Sequence, residues 1–349
     1  MERQKAGFRL EVNNLGTIKT GAIDLSKALI IFAGQNNMGK SYMAYLIYGL
    51  YKIGMNENKV NEALLKIFAS KMVTPIVKIT AEPFLPHSVY FFPAERTAIN
   101  MLAKEVLKQK AATLDELSHK VLAEEDVETI VKSVQNIIPR YPLAIRDYLF
   151  FINDLGYITR NESSFTDFAD EIETLLQGKV SVSDYGDIKF TPQHSQKKLD
   201  IHISSSLVKS LSGLVLYFRH IAQKGDIIMI DEPELNLHPD NQLIVTRLFA
   251  KAVNKGFKVI LSTHSDYIIK EFNNLIMLNK ASDADRIEFG YCKEAVLDQG
   301  KVGAYFFSNN TIEPIEVSET GLTIKTIDTT IDVLDNTTEN IYYRVFESV

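Results

Sequence analysis

Two kinds of hydrophobic spacing divide the chain. Short unbroken apolar runs stop abruptly at small or polar residues at Ala28 to Phe32, Ser88 to Phe92, Ile227 to Ile230 and Lys258 to Ser262. A strand covered on both faces reads this way, because neither parity of side chains meets water. Tyr42 to Tyr51 stays apolar for longer and predicts a buried helix. Between Thr97 and about Gly178 the pattern changes to helix formers with apolar residues at i, i+3 and i+4. Leu114, Leu117, Val121 and Leu122 mark one such amphipathic face, and Pro139 and Pro142 break the run. From Lys179 to Ile203 short alternating stretches flank Asp184-Tyr185-Gly186-Asp187, which predicts β-hairpins. Beyond Leu278 the segments RIEFGYC, KVGAYFF, TIEPIEV and GLTI read as strands. A closing helix is expected over Thr326 to Phe346, carrying Ile331, Val333, Leu334, Ile341 and Val345.

Composition narrows the class. A chain of 349 residues accommodates one large α/β domain with an insertion, or two ordinary domains. With 46% hydrophobic and 23% charged residues it is ordinary for a globular protein, and disorder is not expected. The formal net charge of −6 confines any nucleic-acid contact to a local patch, so DNA is not indicated by composition. The single cysteine, Cys292, has no intramolecular partner, which fits a reducing compartment. No stretch approaches the roughly 20 apolar residues that span a bilayer, and the opening MERQKAGFRLEV does not read as a secretory leader. A cytoplasmic protein without a membrane partner is expected.

Chemistry enters at Gly34-Gln35-Asn36-Asn37-Met38-Gly39-Lys40-Ser41, a complete G-x-x-x-x-G-K-[ST] motif. At average residue frequencies it arises by chance in roughly one chain in a hundred of this length, so it is informative alone. Its setting adds to it, because a predicted strand precedes the loop and a predicted helix follows. Glycines let backbone N–H groups wrap phosphates, and the helix N-terminus adds the positive end of its dipole. The residues expected to hold ATP are Gly34, Asn36, Asn37, Met38, Gly39, Lys40, Ser41 and Tyr42. Lys40 should reach the β- and γ-phosphates, and the Ser41 hydroxyl should ligate Mg2+.

Far downstream, the apolar run Ile227 to Ile230 ends in Asp231 and Glu232. In an open α/β sheet the C-terminal edge of such a strand is where ligands bind. Asp231 is therefore expected at the Mg2+ shell, and Glu232 as the catalytic group that polarises the attacking water. The competing reading is that Asp-Glu-Pro caps a following helix. A third predicted strand ends in Thr263-His264-Ser265, where His264 is a candidate γ-phosphate sensor, since a histidine donates a hydrogen bond without a fixed charge. The catalytic set is then Lys40, Glu232 and His264.

Gln35-Asn36-Asn37, the run Asp-Glu-Pro-Glu-Leu-Asn-Leu-His-Pro from Asp231 to Pro239, and Ser262 to Ser265 together resemble the ABC-type ATPases of the RecF, SMC and OLD (overcoming lysogenisation defect) kind. The opening FRLEVNNLGTIKTGAIDL is similar to the hairpin that precedes the phosphate loop in that group. The likeness spans roughly 8–97 and 185–280, with three motifs in the expected order. It implies a P-loop NTPase of ABC/RecF type that hydrolyses ATP with Mg2+ between two facing copies, a homodimer or higher homo-oligomer. It also implies a serine-rich signature helix reaching the partner's γ-phosphate. The matching stretch is Ser204 to Leu211, with a helix to about Gln223, and Ser205, Ser206 and Lys209 are its candidate contacts. It departs from the LSGGQ form, since Gly213 follows the serines and no glycine pair precedes a glutamine. An N-cap serine opening an ordinary helix is the other reading, and the two are compatible. Phe91 to Thr97 resembles a Pro-Ala-Glu-Arg element of compact OLD-like ATPases, where Arg96 would face a phosphate, the partner, or a surface carboxylate in an ion pair.

The expected organisation is an α/β ATPase domain over 1–97 and 185–280, a helical arm inserted at 98–184, and an α+β extension over 281–349. Lys104, Lys108 and Lys110 share one predicted helix, as a solvated face or a contact for phosphates or an acidic partner. The tail shows no carboxylate, histidine or cysteine cluster at ligand spacing, and no TOPRIM-like nuclease is read there. The preferred functional reading is an ATP-gated sensor controlling a separate effector in phage defence or DNA surveillance. A RecF-like clamp that binds DNA directly is the alternative, and an ABC transporter subunit is a third that the altered signature weakens.

Overall fold

A computed structural model of the chain describes residues 8–53, 63–64, 66–69, 75–80, 86–106, 141–323 and 325–346. Its largest sheet contains nine strands among those residues. The first hairpin pairs β1 (Arg9–Leu15) with β2 (Ile18–Asp24), and β3 (Leu29–Gly34) leads into helix α1 (Lys40–Ile53). Next come β4 (Ile76–Thr80) and β5 (Val89–Phe92), helices α2 (Leu143–Asn153) and α3 (Thr166–Leu176), and a separate antiparallel sheet of β6 (Gly178–Val182), β7 (Ile188–Pro192) and β8 (Leu199–Asp200). Helix α4 (Ser206–His220), β9 (Ile227–Asp231), α5 (Pro239–Asn254), β10 (Lys258–Thr263) and α6 (Asp266–Met277) follow. The chain closes with β11 (Val302–Ser308), β12 (Thr311–Ile315) and α7 (Lys325–Phe346).

The large sheet runs β4-β1-β2-β12-β11-β3-β10-β9-β5. From β11 to β5 every neighbouring pair is parallel. The unbroken apolar runs are explained by the two cores they serve. Ile30 and Phe32 of β3, Ile227 and Met229 of β9 and Ile260 of β10 pack with α1 residues such as Met43, Leu46 and Ile47. Their alternate neighbours Leu29, Ile31, Ile228, Ile230, Val259 and Leu261 pack into the opposite core with residues of α4, α5 and α6. Strand periodicity of two thus serves both faces at once, which only a helix-covered parallel sheet requires.

The strand expected before the phosphate loop, the helix expected after it and the strands ending at Asp231 and Thr263 are all present, as are the first hairpin and those around Asp184 to Asp187. Three expectations need correction. RIEFGYC is not a strand: Asp283–Glu288 is helical, opened by a capping box in which Ser282 and Asp285 satisfy each other's backbone N–H. That local signal outweighs the apolar alternation. The segment after 280 does not stand apart as an extension, because β11 and β12 lie inside the main sheet and β11 pairs with β3 from Val302↔Leu29 to Phe307↔Gly34. Nor do residues 141–184 form an arm. Tyr148, Leu149, Ile152, Phe168 and Ile172 are buried in the core beside α4, and Phe168 stacks on Phe218 with centroids 4.9 Å apart. The remainder of the expected arm, 107–140, including Lys108, Lys110 and the Leu114 to Leu122 face, lies outside the described residues. Lys104 is described, and it pairs with Asp187 at 2.7 Å.

Tight packing of α2 against α4 rests on Gly213. A Cβ there would sit 2.2 Å from the Tyr148 hydroxyl, which donates to Asn100 Oδ1 at 2.9 Å. Gly213→Ala gains helix propensity of about 1 kcal/mol but must displace a buried ring, at about 1–3 kcal/mol. A lower melting temperature is expected, with part of the loss recovered when Tyr148→Phe is added. A Gly213→Ala protein as stable as the parent would refute the tight contact.

Candidate functional site

Parallel pairing sets three strand ends at one level: Phe307↔Gly34, Thr263↔Ala33 and Ser262↔Asp231. The phosphate loop begins there with Gly34 at φ +137°, where a Cβ would meet the Phe307 carbonyl oxygen at 2.4 Å. Only glycine tolerates both demands. At Gly39, with φ +95°, a Cβ would lie 2.6 Å from Ile18 of the first hairpin. Asn36 and Asn37 are exposed, Met38 is half-buried against the α1-side core, and Met43 N–H donates to the Gly39 carbonyl to close the first turn of α1. The Tyr42 ring lies against the Gly16 turn and is 39% exposed.

Lys40 is only 6% exposed, and its Nζ donates to the Gly34 and Gln35 carbonyls at 2.8 Å each. Burial depresses its pKa, and the negative groups Asp231, Glu232 and Glu234 oppose that shift. Ser41 Oγ donates to Asp231 Oδ2 at 2.8 Å, across 190 positions of sequence. The other Asp231 oxygen accepts from Ser262 Oγ. Asp231 is 3% exposed and ends β9, whereas α5 begins at Pro239 with His238 as its N-cap. Asp-Glu-Pro therefore caps no helix.

Glu232 sits in a turn at φ +48°, a conformation that L-residues occupy at a cost of order 1 kcal/mol or more. Its carboxylate lies 3.5 Å from His264 Nε2 and stays partly open to solvent. Burial raises its pKa most; His264 opposes that, while Asp231 and Glu234 add to it. His264 is held from behind by Glu234, whose Oε1 accepts from the His264 backbone N–H and from Thr263 Oγ1, both at 2.9 Å. In the sequence Glu234 lies inside the acidic motif with no role of its own to be read there. Its recurrence two positions past Glu232, on the same turn, was the available signal.

Helix α4 opens with Ser205 as N-cap, its side chain accepting from Val208 N–H at 3.3 Å. Ser205 and Ser206 are exposed and Lys209 is half-buried, so capping and availability to a partner coexist. Arg96 departs from every expected placement. It is 1% exposed and binds backbone carbonyls, so it is neither a surface ion pair nor turned to a partner or phosphate.

Two oxygen donors, the Ser41 hydroxyl and the Asp231 carboxylate, meet where Mg2+ is expected. Among the described residues no group of three or more His, Cys, Asp or Glu side chains is arranged to hold a metal. One hydroxyl and one carboxylate suit Mg2+, which usually completes its shell with water and substrate phosphates. Among the described residues no helix is long and apolar enough to cross a membrane.

A family model described as an AAA ATPase domain matches residues 50–269, and the phosphate loop lies just ahead of that span. The chain is 32% identical over 100 residues to a protein named OLD nuclease from Thermus scotoductus, across 28% of this chain and 18% of that protein. It thus spans under a fifth of the length of that curated relative. Among solved structures, the SMC head domain from Thermotoga maritima is similar at 12% identity, covering 89% of this chain and all of that one, with a TM-score of 0.39. An Smc head domain bound to the C-terminal domain of ScpA, from Pyrococcus furiosus, is similar at 13% identity over 95% of this chain and 98% of that one, with a TM-score of 0.40.

The Glu234 contacts predict a stability effect. Glu234→Ala leaves the Thr263 hydroxyl and the His264 N–H without their shared acceptor, which costs about 1–3 kcal/mol. Denaturant unfolding without nucleotide should show a lower midpoint. An unchanged midpoint would show that these two bonds do not hold the His264 turn.

Proposed function

The chain belongs to the AAA ATPase domain family, and on that premise we propose that it binds ATP with Mg2+ and hydrolyses it as a regulatory ATPase. The observation that carries this reading is the 2.8 Å hydrogen bond from Ser41 to Asp231, which joins the phosphate loop to the strand bearing the acidic pair. Gly34, Asn36, Asn37, Met38 and Gly39 form the loop whose N–H groups cradle the triphosphate, and Tyr42 flanks it beside the first hairpin. Lys40 exchanges its two loop carbonyls for β- and γ-phosphate oxygens, an exchange favoured because the phosphates carry full negative charge. Ser41 and Asp231 would hold Mg2+, which when bound would neutralise charge on the phosphate oxygens.

Glu232 aligns the attacking water and takes its proton as the water oxygen bonds to the γ-phosphorus and the bond to the ADP oxygen breaks. A carboxylate whose pKa is raised by burial is a better base than an exposed one. His264 Nε2, beside the Glu232 carboxylate, is positioned to donate to the γ-phosphate as that charge shifts. Exposure of Ser205 and Ser206 at the end of α4 supports a sandwich in which each copy offers this helix to the other's nucleotide, as the signature resemblance implies. Closure of such a homodimer would then be relayed to a separate effector protein, in phage defence or DNA surveillance.

Lys40→Ala should abolish ATP binding measured by titration. Glu232→Gln should bind ATP as the parent does, lower turnover by about 100-fold or more, and accumulate as an ATP-bound dimer in size-exclusion chromatography with light scattering. Unchanged turnover in Glu232→Gln would remove the assigned base. Ser206→Ala with Lys209→Ala should slow hydrolysis while ATP affinity persists. Equal loss of both would rule out α4 as an element acting across the dimer.

A further inference from the structure

Arg96 carries a charge into the interior, and among the described residues no carboxylate pairs with it. Its five hydrogen bonds among those residues go to backbone carbonyls. Nε donates to Ser210 O at 3.2 Å. Nη1 donates to Pro93 O at 3.1 Å and to Asp231 O at 2.8 Å. Nη2 donates to Glu232 O at 2.9 Å and to Pro233 O at 3.4 Å. Burial depresses its pKa, so the cation is kept against a real desolvation cost. Such a group persists where its geometry is needed, and a planar fork of five N–H donors is the one side chain that reaches carbonyls on two sides at once.

The carbonyls it gathers define what that geometry does. Asp231, Glu232 and Pro233 are consecutive, and they mark where β9 ends and the chain turns through the positive φ of Glu232. Buried carbonyls in such a turn have left the strand ladder and need other donors. Ser210 belongs to α4, one turn inward from the exposed Ser205 and Ser206. One residue earlier on α4, the Lys209 carbonyl accepts from Asn100 Nδ2 at 2.7 Å, and Asn100 lies one turn after Arg96 in the helix that spans 96–106. A single short helix therefore grips two consecutive carbonyls of α4 with one hand and the turn carrying Glu232 with the other.

We infer that Arg96 is a positioning residue for hydrolysis: it locks the Glu232 turn to α4, so that the placement of the serine-bearing helix sets the aim of the Glu232 carboxylate. The inference rests on the ATPase reading above and deepens it. ATP affinity, set by the phosphate loop, is not expected to depend on Arg96. Turnover, set by where Glu232 points, is expected to depend on it strongly.

Arg96→Lys keeps the charge but cannot span from Ser210 to Glu232. It should hydrolyse ATP at least about ten-fold more slowly at unchanged KM, with ATP affinity within about three-fold of the parent. Combining it with Ser206→Ala should lower turnover by less than the product of the two single losses, since both act through α4. A merely structural role would instead give multiplicative losses. Should Arg96→Lys fail to fold by its thermal melt, Asn100→Ala, which loosens the same helix from α4, carries the same expectation with a loss of about three-fold or more. Parental turnover in the folded variant, or turnover and affinity falling together, would overturn the inference. Glu232→Gln measured alongside separates the two failures. If it too turns over like the parent, the assignment of the site is wrong; if it is inactive while Arg96→Lys is not, only the role of Arg96 falls.

Discussion

The contact on which the site depends is a hydrogen bond between a serine hydroxyl and a buried carboxylate from opposite parts of the chain. Ser41 begins a helix and Asp231 ends a strand, and nothing local brings them together. The parallel run β3-β10-β9 does so, because its register sets Phe32, Ser262 and Asp231 level with one another, two residues before Gly34. Ser262 on the intervening strand holds the second Asp231 oxygen, so the carboxylate is oriented from a neighbouring strand and from the first turn of α1. A buried carboxylate is costly without partners, and two hydroxyl donors offset part of that cost while leaving oxygen lone pairs for a cation.

Backbone carbonyls are the common currency for the buried cations here. Lys40 is held by the loop it serves, and Arg96 by the turn that carries Glu232. The two differ in what can replace those carbonyls. Lys40 opens α1 directly behind the phosphate loop, where phosphate oxygens would offer it stronger, charge-assisted bonds. Arg96 is enclosed, and its bonds can change only if the elements around it move. One cation is therefore suited to exchange partners with substrate, and the other to transmit position.

Helix α4 joins these themes. It is capped by Ser205, which is exposed with Ser206, while Ser210, Ser212 and Gly213 are buried against the body, with Ser210 Oγ donating to the Leu235 carbonyl beyond the acidic turn. The end proposed to meet a second copy and the part that touches the Glu232 turn belong to one helix. On the proposed reading, that helix would couple the interface to the chemistry without a separate hinge.

Much of the centre of the fold was legible in the residues themselves. Unbroken apolar runs ending in Gly34, Asp231 and Thr263 announce buried parallel strands, and glycines at fixed spacing before Lys40 announce a phosphate loop, because these are constraints of local chemistry and covered surface. The meeting of Lys40 and Ser41 with Asp231 followed from them by the rule that open α/β sheets bind ligands at their carboxyl edge. Pairing partners were not legible. KVGAYFF had the continuous apolar pattern of a central strand, yet only the assembled sheet shows that it lies beside β3 and presses the Phe307 carbonyl against Gly34. Arg96 reads as a surface or phosphate-facing cation in sequence, since a chain gives no sign of which charges will be enclosed. Hydrophobic period and turn chemistry belong to the sequence; the company a polar side chain keeps is decided by distant segments, and for Arg96 those are α4 and the end of β9.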